Sequence, residues 1–391
     1  MVRRALLVPT VTLTTLIAAC TASYQMSPEP ASGRSCPRGP TGLAGGQAGG
    51  VAADSAGAAV IWYYPEEKGD NRHLEAWCIT VGPPVLRLVP GAGFGPLLPG
   101  DSLTVAVWNS NVGAGQVVEF LTEELSLRCS GPGSALEPGA SHFVLLMQEA
   151  FRRSPDIPPD PPGGAMPPPV AEEPSPGPRT DTMEIAERCG LSLAYVAAAR
   201  NGREERDGLR EDKGVAILST LPLSDVIGIE LPFEAARRVT LAATVRDANG
   251  DSLRLVNVHF ISTVGPARAL TTGNDSRPRQ ALAVVDALRE VEAARAAGDA
   301  DSAFTTSTLL AGDLNTWSET ETAILLLREH FPDSPPPLGE ATRGPFPTDH
   351  LLFRRSASPG SPWLVEDSYE RIEQVYNSDH HGVVARVVFA D

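Results

Sequence analysis

The sequence predicts a mixed α/β fold. From residue 103 onward, apolar runs of strand length alternate with segments of helical period, the pattern that layers helices on sheets. Two of these runs are joined by Asp247-Ala248-Asn249-Gly250-Asp251. The Asn-Gly pair is a strong hairpin signal, so at least one strand pair is antiparallel and a purely parallel sheet is excluded. Residues 279–297 keep an Ala/Leu/Val face at helical spacing with charges opposite, which makes them a surface helix.

Residues 1–19 stand apart from the fold. Arg3 and Arg4 precede an apolar run that ends at Ile17-Ala18-Ala19-Cys20. The run suits a secretory signal and falls short of the roughly 20 residues a membrane span needs. Its end resembles a bacterial lipoprotein signal, which implies lipidation of Cys20 and an exported protein anchored on the cell envelope. A plain signal with an unmodified Cys20 is the alternative. Residues 20–59 are rich in Gly, Ala, Ser and Pro with almost no large apolar side chains, the composition of a flexible tether.

Foldable text begins at Val60. The runs 60–64 and 85–89 are strand-like and bounded by Gly and Pro, and residues 60–102 are expected as an N-terminal extension. The main domain, 103–391, reads as strand 103–109, helix 117–127 and strand 143–149, then strands 215–220, 239–245 and 253–260. The 279–297 helix follows, then strands 308–315, 350–354 and 381–389. Residues 154–180 can bury almost nothing and are expected as an exposed, partly polyproline insertion.

With 32 basic against 48 acidic residues and a net charge of −16, the chain is no simple phosphate-coating nucleic-acid binder. A positive field near a phosphate must come from local groups, with Arg200 and Arg203 as candidates. Export puts Cys36, Cys78, Cys129 and Cys189 in an oxidising compartment where two disulfides can form. Cys36 with Cys78 is the favoured pair. Cys129 and Cys189 then either pair or stay as buried thiols. No Cys/His cluster has zinc spacing.

The polar residues able to carry chemistry share one placement, at or just beyond apolar strands, where a rigid scaffold can gather them around one point. They are Asn109, Glu149, His259, Asp313, Asn315, Asp349, Asp379 and His380. The series WN, QE, NVH, GDLN, DH and SDH that carries them resembles, in that order, the endonuclease/exonuclease/phosphatase (DNase I-like) superfamily. The resemblance implies a four-layer α/β sandwich, two mixed, mainly antiparallel β-sheets flanked by helices. It also implies a divalent-metal-dependent phosphoesterase.

Residue by residue, the resemblance implies Glu149 as a metal ligand, with Asn109 and Asp379 in the metal's first or second shell. Mg²⁺ (or Mn²⁺) suits these hard oxygen donors. Asp349 is expected to orient His380, while His259 approaches the phosphate from the other side. Asp313 and His380 share the activation of water, and Asn315 would fix Asp313 and donate to a phosphate oxygen. Arg279-Gln280 either approach phosphate or are solvated on their helix. Val215 and Thr348 depart from the family's usual Asn and aliphatic residues, and His73, His142, His330, His350 and His381 are assigned no chemistry. The expected substrate is a phosphodiester of nucleic acid or a phospholipid headgroup. A phosphomonoester, or a non-catalytic lipid-anchored binding protein, is the alternative. The partners expected are that substrate and the membrane, with no obligate protein partner and a monomeric state.

Overall fold

The computed structural model describes residues 26–27, 41–42, 60–159, 171–172, 177–202, 205, 207–262, 276–295 and 305–390. The expected signal, Cys20, Cys36, Arg203 and most of the tether and proline segment lie outside them. The principal elements of the first half are β1 (Ile61–Pro65), α1 (Lys68–Cys78), β2 (Val85–Arg87), β3 (Ser102–Asn109), α2 (Val117–Glu123), β4 (His142–Ser154), α3 (Thr182–Arg188) and β5 (Ser192–Asn201). Then come β6 (Arg210–Ser219), β7 (Ser224–Glu230), β8 (Val239–Arg246), β9 (Ser252–His259), α4 (Ser276–Arg295), β10 (Ser307–Asp313), α5 (Thr322–His330), β11 (Asp349–Arg354) and β12 (Val383–Val388).

The strands form two mixed sheets. One runs β1-β7-β8-β9-β10-β11, with Met26–Ser27 on its edge. The other runs β12-β3-β4-β6-β5-β2, with Trp363–Leu364 and Thr41–Gly42 at its two edges. The β8–β9 pair is antiparallel, closed by the Asn249-Gly250 hairpin. Two pairs near the centres are parallel, β3 with β4 and β9 with β10.

Period-2 alternation builds the layers. Leu253 and Leu255 of β9 and Leu103, Val105 and Val107 of β3 meet in the core between the sheets. Val256 and Val258 face away, against Val284, Leu288 and Leu327 of α4 and α5. Ala106 and Trp108 face the other way, against Phe120, Leu121 and Ile185 of α2 and α3. The result is helix, sheet, sheet, helix: the expected four-layer sandwich.

Polar staples join the two sheets inside this core. Asn257 of β9 donates to the backbone oxygens of Met147 (2.9 Å) and Ala216 (2.8 Å) and accepts from Gln148 Nε2 at 2.6 Å. Arg237 is ion-paired with Glu230 and donates to the oxygens of Ala197 and Ala198 in β5. An unpaired group in this setting costs about 1–3 kcal/mol, so these contacts fix how the sheets sit on each other.

Several elements differ from the sequence reading. Residues 60–102 put β1 beside β7 and β2 beside β5, so that segment extends both sheets. The helix expected over 117–127 ends at Glu123, because Leu127–Arg128 pairs with Ala135–Leu136 instead. Cys129 and Cys189 form a disulfide that ties this small hairpin to the end of α3. Cys78 is also disulfide-bonded, while its expected partner Cys36 lies outside the described residues. Within the proline segment, Ala171–Glu172 pairs with β5. Among the described residues no helix is long and apolar enough to cross a membrane.

Candidate active site

The alternation that builds the core also gathers the polar residues. Counting on by twos from Val107, Leu255, Ala311 and back from Leu351 places Asn109, Asn257 with His259, Asp313 and Asp349 on the inner faces of the sheets. The register then aligns them. His259 pairs with Asp313 across β9 and β10, Asp313 with Asp349 across β10 and β11, and Asn109 with Gln148 across β3 and β4. Both parallel pairs terminate at this end, so their last side chains face one another between the sheets.

Glu149 reaches the same side through a β-bulge. The register of β4 against β6 shifts between Gly214 and Val215, leaving Glu149 unpaired with φ at 50°. Met147 and Ala150 on either side both belong to the outer core, so Gln148 and Glu149 share the inner side. Gly214 is required opposite the bulge, since a Cβ there would lie 1.9 Å from the Val196 oxygen.

Asp313 is the hub. Its Oδ1 accepts from the Asn315 backbone N–H at 2.8 Å and its Oδ2 from Asn109 Nδ2 at 3.0 Å. His259 Nε2 and His380 Nε2 stand 3.6 Å and 3.7 Å from Oδ2. His380 Nδ1–H donates to Asp349 Oδ2 at 2.8 Å, which fixes the ring and leaves its buried Nε2 without a hydrogen-bond partner. Trp108 Nε1 donates to the His380 oxygen, and the Ser378 hydroxyl donates to the Asn109 oxygen at 2.6 Å, so the loop before β12 is pinned to β3.

Other expected residues are placed differently. The Asn315 amide donates to the Phe260 oxygen at 2.9 Å, so the side chain holds the loop after β9 and its backbone N–H holds Asp313. Asp379 is ion-paired with Arg343 at 2.5 Å and stands 4.0 Å from His380 Nε2. Arg200 is buried and donates to the Pro158 oxygen, so it anchors the start of the proline segment and supplies no open cation. Arg279 pairs with Glu234 and Asp70, while Gln280 accepts from the Ile261 N–H just beyond His259. Thr348, the departure from the family pattern, donates to Asp349 Oδ2 at 2.9 Å.

The sequence reading missed a set of cations. Arg238, Lys213 and Arg343 all act on His259, and Lys213 Nζ lies 3.9 Å from Glu149 Oε1. It also assigned nothing to His350, whose Nε2 lies 2.6 Å from the Thr316 hydroxyl and 2.7 Å from the Pro347 oxygen, tying together the loops that carry Asn315 and Asp349. Lys213 two residues before Val215 on a strand was a usable signal. Arg343 sits in a turn and had none.

Electrostatics divide the histidines. Burial lowers the His259 imidazole well below its ordinary value, and Arg238, Lys213, His380 and Arg343 push the same way, so it is neutral at pH 7. Burial also opposes charge on His380, but the carboxylates of Asp349, Asp313 and Asp379 outweigh it and raise the group to about 9. Burial pushes Asp313 up to about 6, with Asp349 adding and His380 opposing. Burial works against the Asp349 carboxylate too, yet His380 and the hydroxyls of Thr342 and Thr348 hold it below the usual range.

A profile of the Endonuclease/Exonuclease/phosphatase family matches residues 106–380. The chain belongs to this family. Among solved structures it is similar to an endonuclease/exonuclease/phosphatase from Beutenbergia cavernae DSM 12333, with 16% identity, 74% of this chain and 72% of that one covered, and a TM-score of 0.42. It is similar to sphingomyelinase C from Streptomyces griseocarneus, at 17% identity, 74% and 99% coverage and a TM-score of 0.37. The D. rerio TDP2 humanized by 14 mutations shows 14% identity, 73% and 98% coverage and a TM-score of 0.42. No curated protein matches the sequence.

Members of the endonuclease/exonuclease/phosphatase family are generally phosphoester hydrolases that depend on a divalent metal. The residues here fit such an ion. The ligand atoms of Asp313, Asp349 and His380 lie within 4.8 Å of one another, but Asp349 and His380 are committed to hydrogen bonding each other within that cluster, whereas the Gln148 Oε1 atom beside Glu149 is buried without a partner. Carboxylate and amide oxygens with no thiolate are donors that a hard divalent cation accepts.

Proposed function

We propose that this protein is a divalent-metal-dependent phosphoesterase that hydrolyses a phosphodiester, of nucleic acid or a phospholipid headgroup, at the bacterial cell envelope. One observation carries the reading: Asp349 orients His380 at 2.8 Å while the ring's other nitrogen, buried and unpartnered, faces Asp313. A buried, oriented imidazole beside a carboxylate whose proton affinity is shifted toward neutrality is the arrangement acid–base hydrolysis requires.

The two groups divide the work by charge. Asp313, ionised above about pH 6, accepts the proton of the attacking water, with Asn109 and the Asn315 N–H holding its oxygens in place. His380, protonated up to about pH 9, donates a hydrogen bond to the phosphoryl oxygen where charge accumulates. Neutral His259 donates from the opposite side, and Arg238, Lys213 and Arg343 add positive field. The bond from phosphorus to the leaving oxygen breaks in line with the new bond to water. Glu149, Asn109 and Asp379 would hold the divalent ion, which when bound neutralises charge on phosphoryl and leaving-group oxygens. Cys20, as the lipid-bearing residue, would place this chemistry on the membrane.

The test is hydrolysis by the purified protein of bis-p-nitrophenyl phosphate, p-nitrophenyl phosphate, plasmid DNA and a phospholipid panel, with Mg²⁺ or Mn²⁺ and then with EDTA. Metal-dependent diester cleavage that disappears in Glu149→Ala is expected. Cleavage of the monoester alone would move the reading to a phosphomonoesterase, and a folded protein inert on every substrate would favour a binding role.

A further inference from the structure

Two large aromatic side chains lie exposed beside this site, where burial would be the default. Trp317 is 42% and Phe346 39% exposed, and their rings stack at 5.8 Å between centroids and 29° between planes. Each belongs to a loop that carries site residues. Trp317 is two residues beyond Asn315, and Phe346 is three before Asp349.

Both loops are held firmly. The Trp317 N–H donates to Glu321 Oε1, and Glu321 is in turn ion-paired with Arg277 at 2.6 Å. The Thr316 hydroxyl donates to the Pro347 oxygen at 2.7 Å, joining one loop to the other. Phe346 closes a tight turn on Arg343 through reciprocal backbone hydrogen bonds, and Arg343 is the cation that reaches Asp379, Asp313 and Glu149. The rings are therefore a fixed surface on the arginine side of the reacting centre.

We propose that Trp317 and Phe346 form a stacking subsite for a planar aromatic group, such as a nucleobase, on one ester arm of the substrate, with Arg343 beside the phosphate. The proposal rests on the phosphodiesterase reading above and narrows its substrate class. Paired aromatic rings next to a guanidinium suit a base attached to a phosphate, because every base presents a flat π-face. A lipid surface fits less well: Glu319 stands two residues from Trp317 and Asp379 is paired with Arg343 of the Phe346 turn, carboxylates that an anionic bilayer repels, and two rings give little apolar area to insert.

The experiment compares a dinucleoside monophosphate with glycerophosphocholine, a diester of equal charge and no ring, in the wild-type protein, Trp317→Leu and Phe346→Leu. The expected result is a KM for the dinucleotide at least about tenfold higher in each variant, the scale of one lost base stack, with glycerophosphocholine kinetics unchanged. A second readout needs no turnover. Adenosine 5′-monophosphate added in EDTA should quench a fluorescence component present in the wild type and missing from Trp317→Leu. Quenching without hydrolysis of either diester would uphold the subsite and sink the hydrolase. Hydrolysis of both diesters at wild-type KM in the variants, without quenching, would overturn the subsite and leave the hydrolase standing. Loss of sedimentation with phosphatidylcholine vesicles in the variants, again without quenching, would overturn it in favour of lipid contact.

Discussion

His380 Nδ1 lies 2.8 Å from Asp349 Oδ2 across 31 residues of sequence, and the two arrive from different sheets. Asp349 opens β11 in the sheet of β9 and β10, whereas His380 precedes β12 on the edge of β3 in the other sheet. The dyad bridges the sandwich at the end where the inner faces open.

Breaking that bridge should slow the reaction without unfolding the protein. His380→Ala is expected to lower kcat by about 10² to 10⁴, the usual worth of a lost acid–base group, and Asp349→Asn to slow it in the same direction. Steady-state kinetics on the substrate found above check both. A wild-type rate in either variant would remove that residue from the mechanism.

The pH profile follows from the two shifted groups. Asp313 must be ionised to take a proton, so activity should rise as pH climbs through about 6. His380 must be protonated to donate, so activity should fall as pH passes about 9. A plot of log kcat/KM should therefore be bell-shaped, and a rate still climbing at pH 10 would reassign His380 as the base.

His350 makes stability depend on acid. Burial lowers its imidazole from the ordinary 6.5 to about 4, so between those values the unfolded chain binds a proton that the folded one refuses. This contribution is intact above about pH 6.5 and is lost as pH falls toward 4, by on the order of 2 to 3 kcal/mol. Denaturant melts at pH 7 and pH 4.5 should show the loss, and His350→Gln should flatten it.

Gly312, immediately before Asp313, tolerates no side chain. Its φ is 150° and a Cβ would lie 1.9 Å from the Val258 oxygen. Gly312→Ala is expected to destabilise by more than about 2 kcal/mol, since the neighbour is strand backbone and cannot yield. Chemical denaturation measures this directly, and an unchanged midpoint would mean β9 and β10 are less tightly apposed.

Anchoring is tested at Cys20. Cys20→Ser should move the protein from the membrane to the soluble fraction of fractionated cells. Retention on the membrane would point to another attachment.

Much of this was legible in the sequence, for identifiable reasons. Asn249-Gly250 announces its hairpin because the turn needs a positive φ, which Gly250 supplies at 91°. GDLN and SDH announce a site because each ends an apolar run, where a polar side chain has no core to fill. The Glu149 bulge was not legible, since it depends on Gly214 in a strand some sixty residues away that only pairing brings opposite. Nor were the sheet partners of β1 and β2, which read as strands of an N-terminal extension until β7 and β5 offered them edges.

By itself the sequence determined the fold class, the order of the strands that carry chemistry and the family, because period-2 patterning, turn residues and strand-end motifs are local properties. Only the tertiary structure decided that the charges of Lys213, Arg238 and Arg343 act on His259, that Arg200 is committed elsewhere, and that Cys129 pairs with Cys189. The physical reason is distance. A charge or a thiol acts on whatever lies within a few ångströms, and which residues those are is set by how two sheets close on each other, a property no single segment contains.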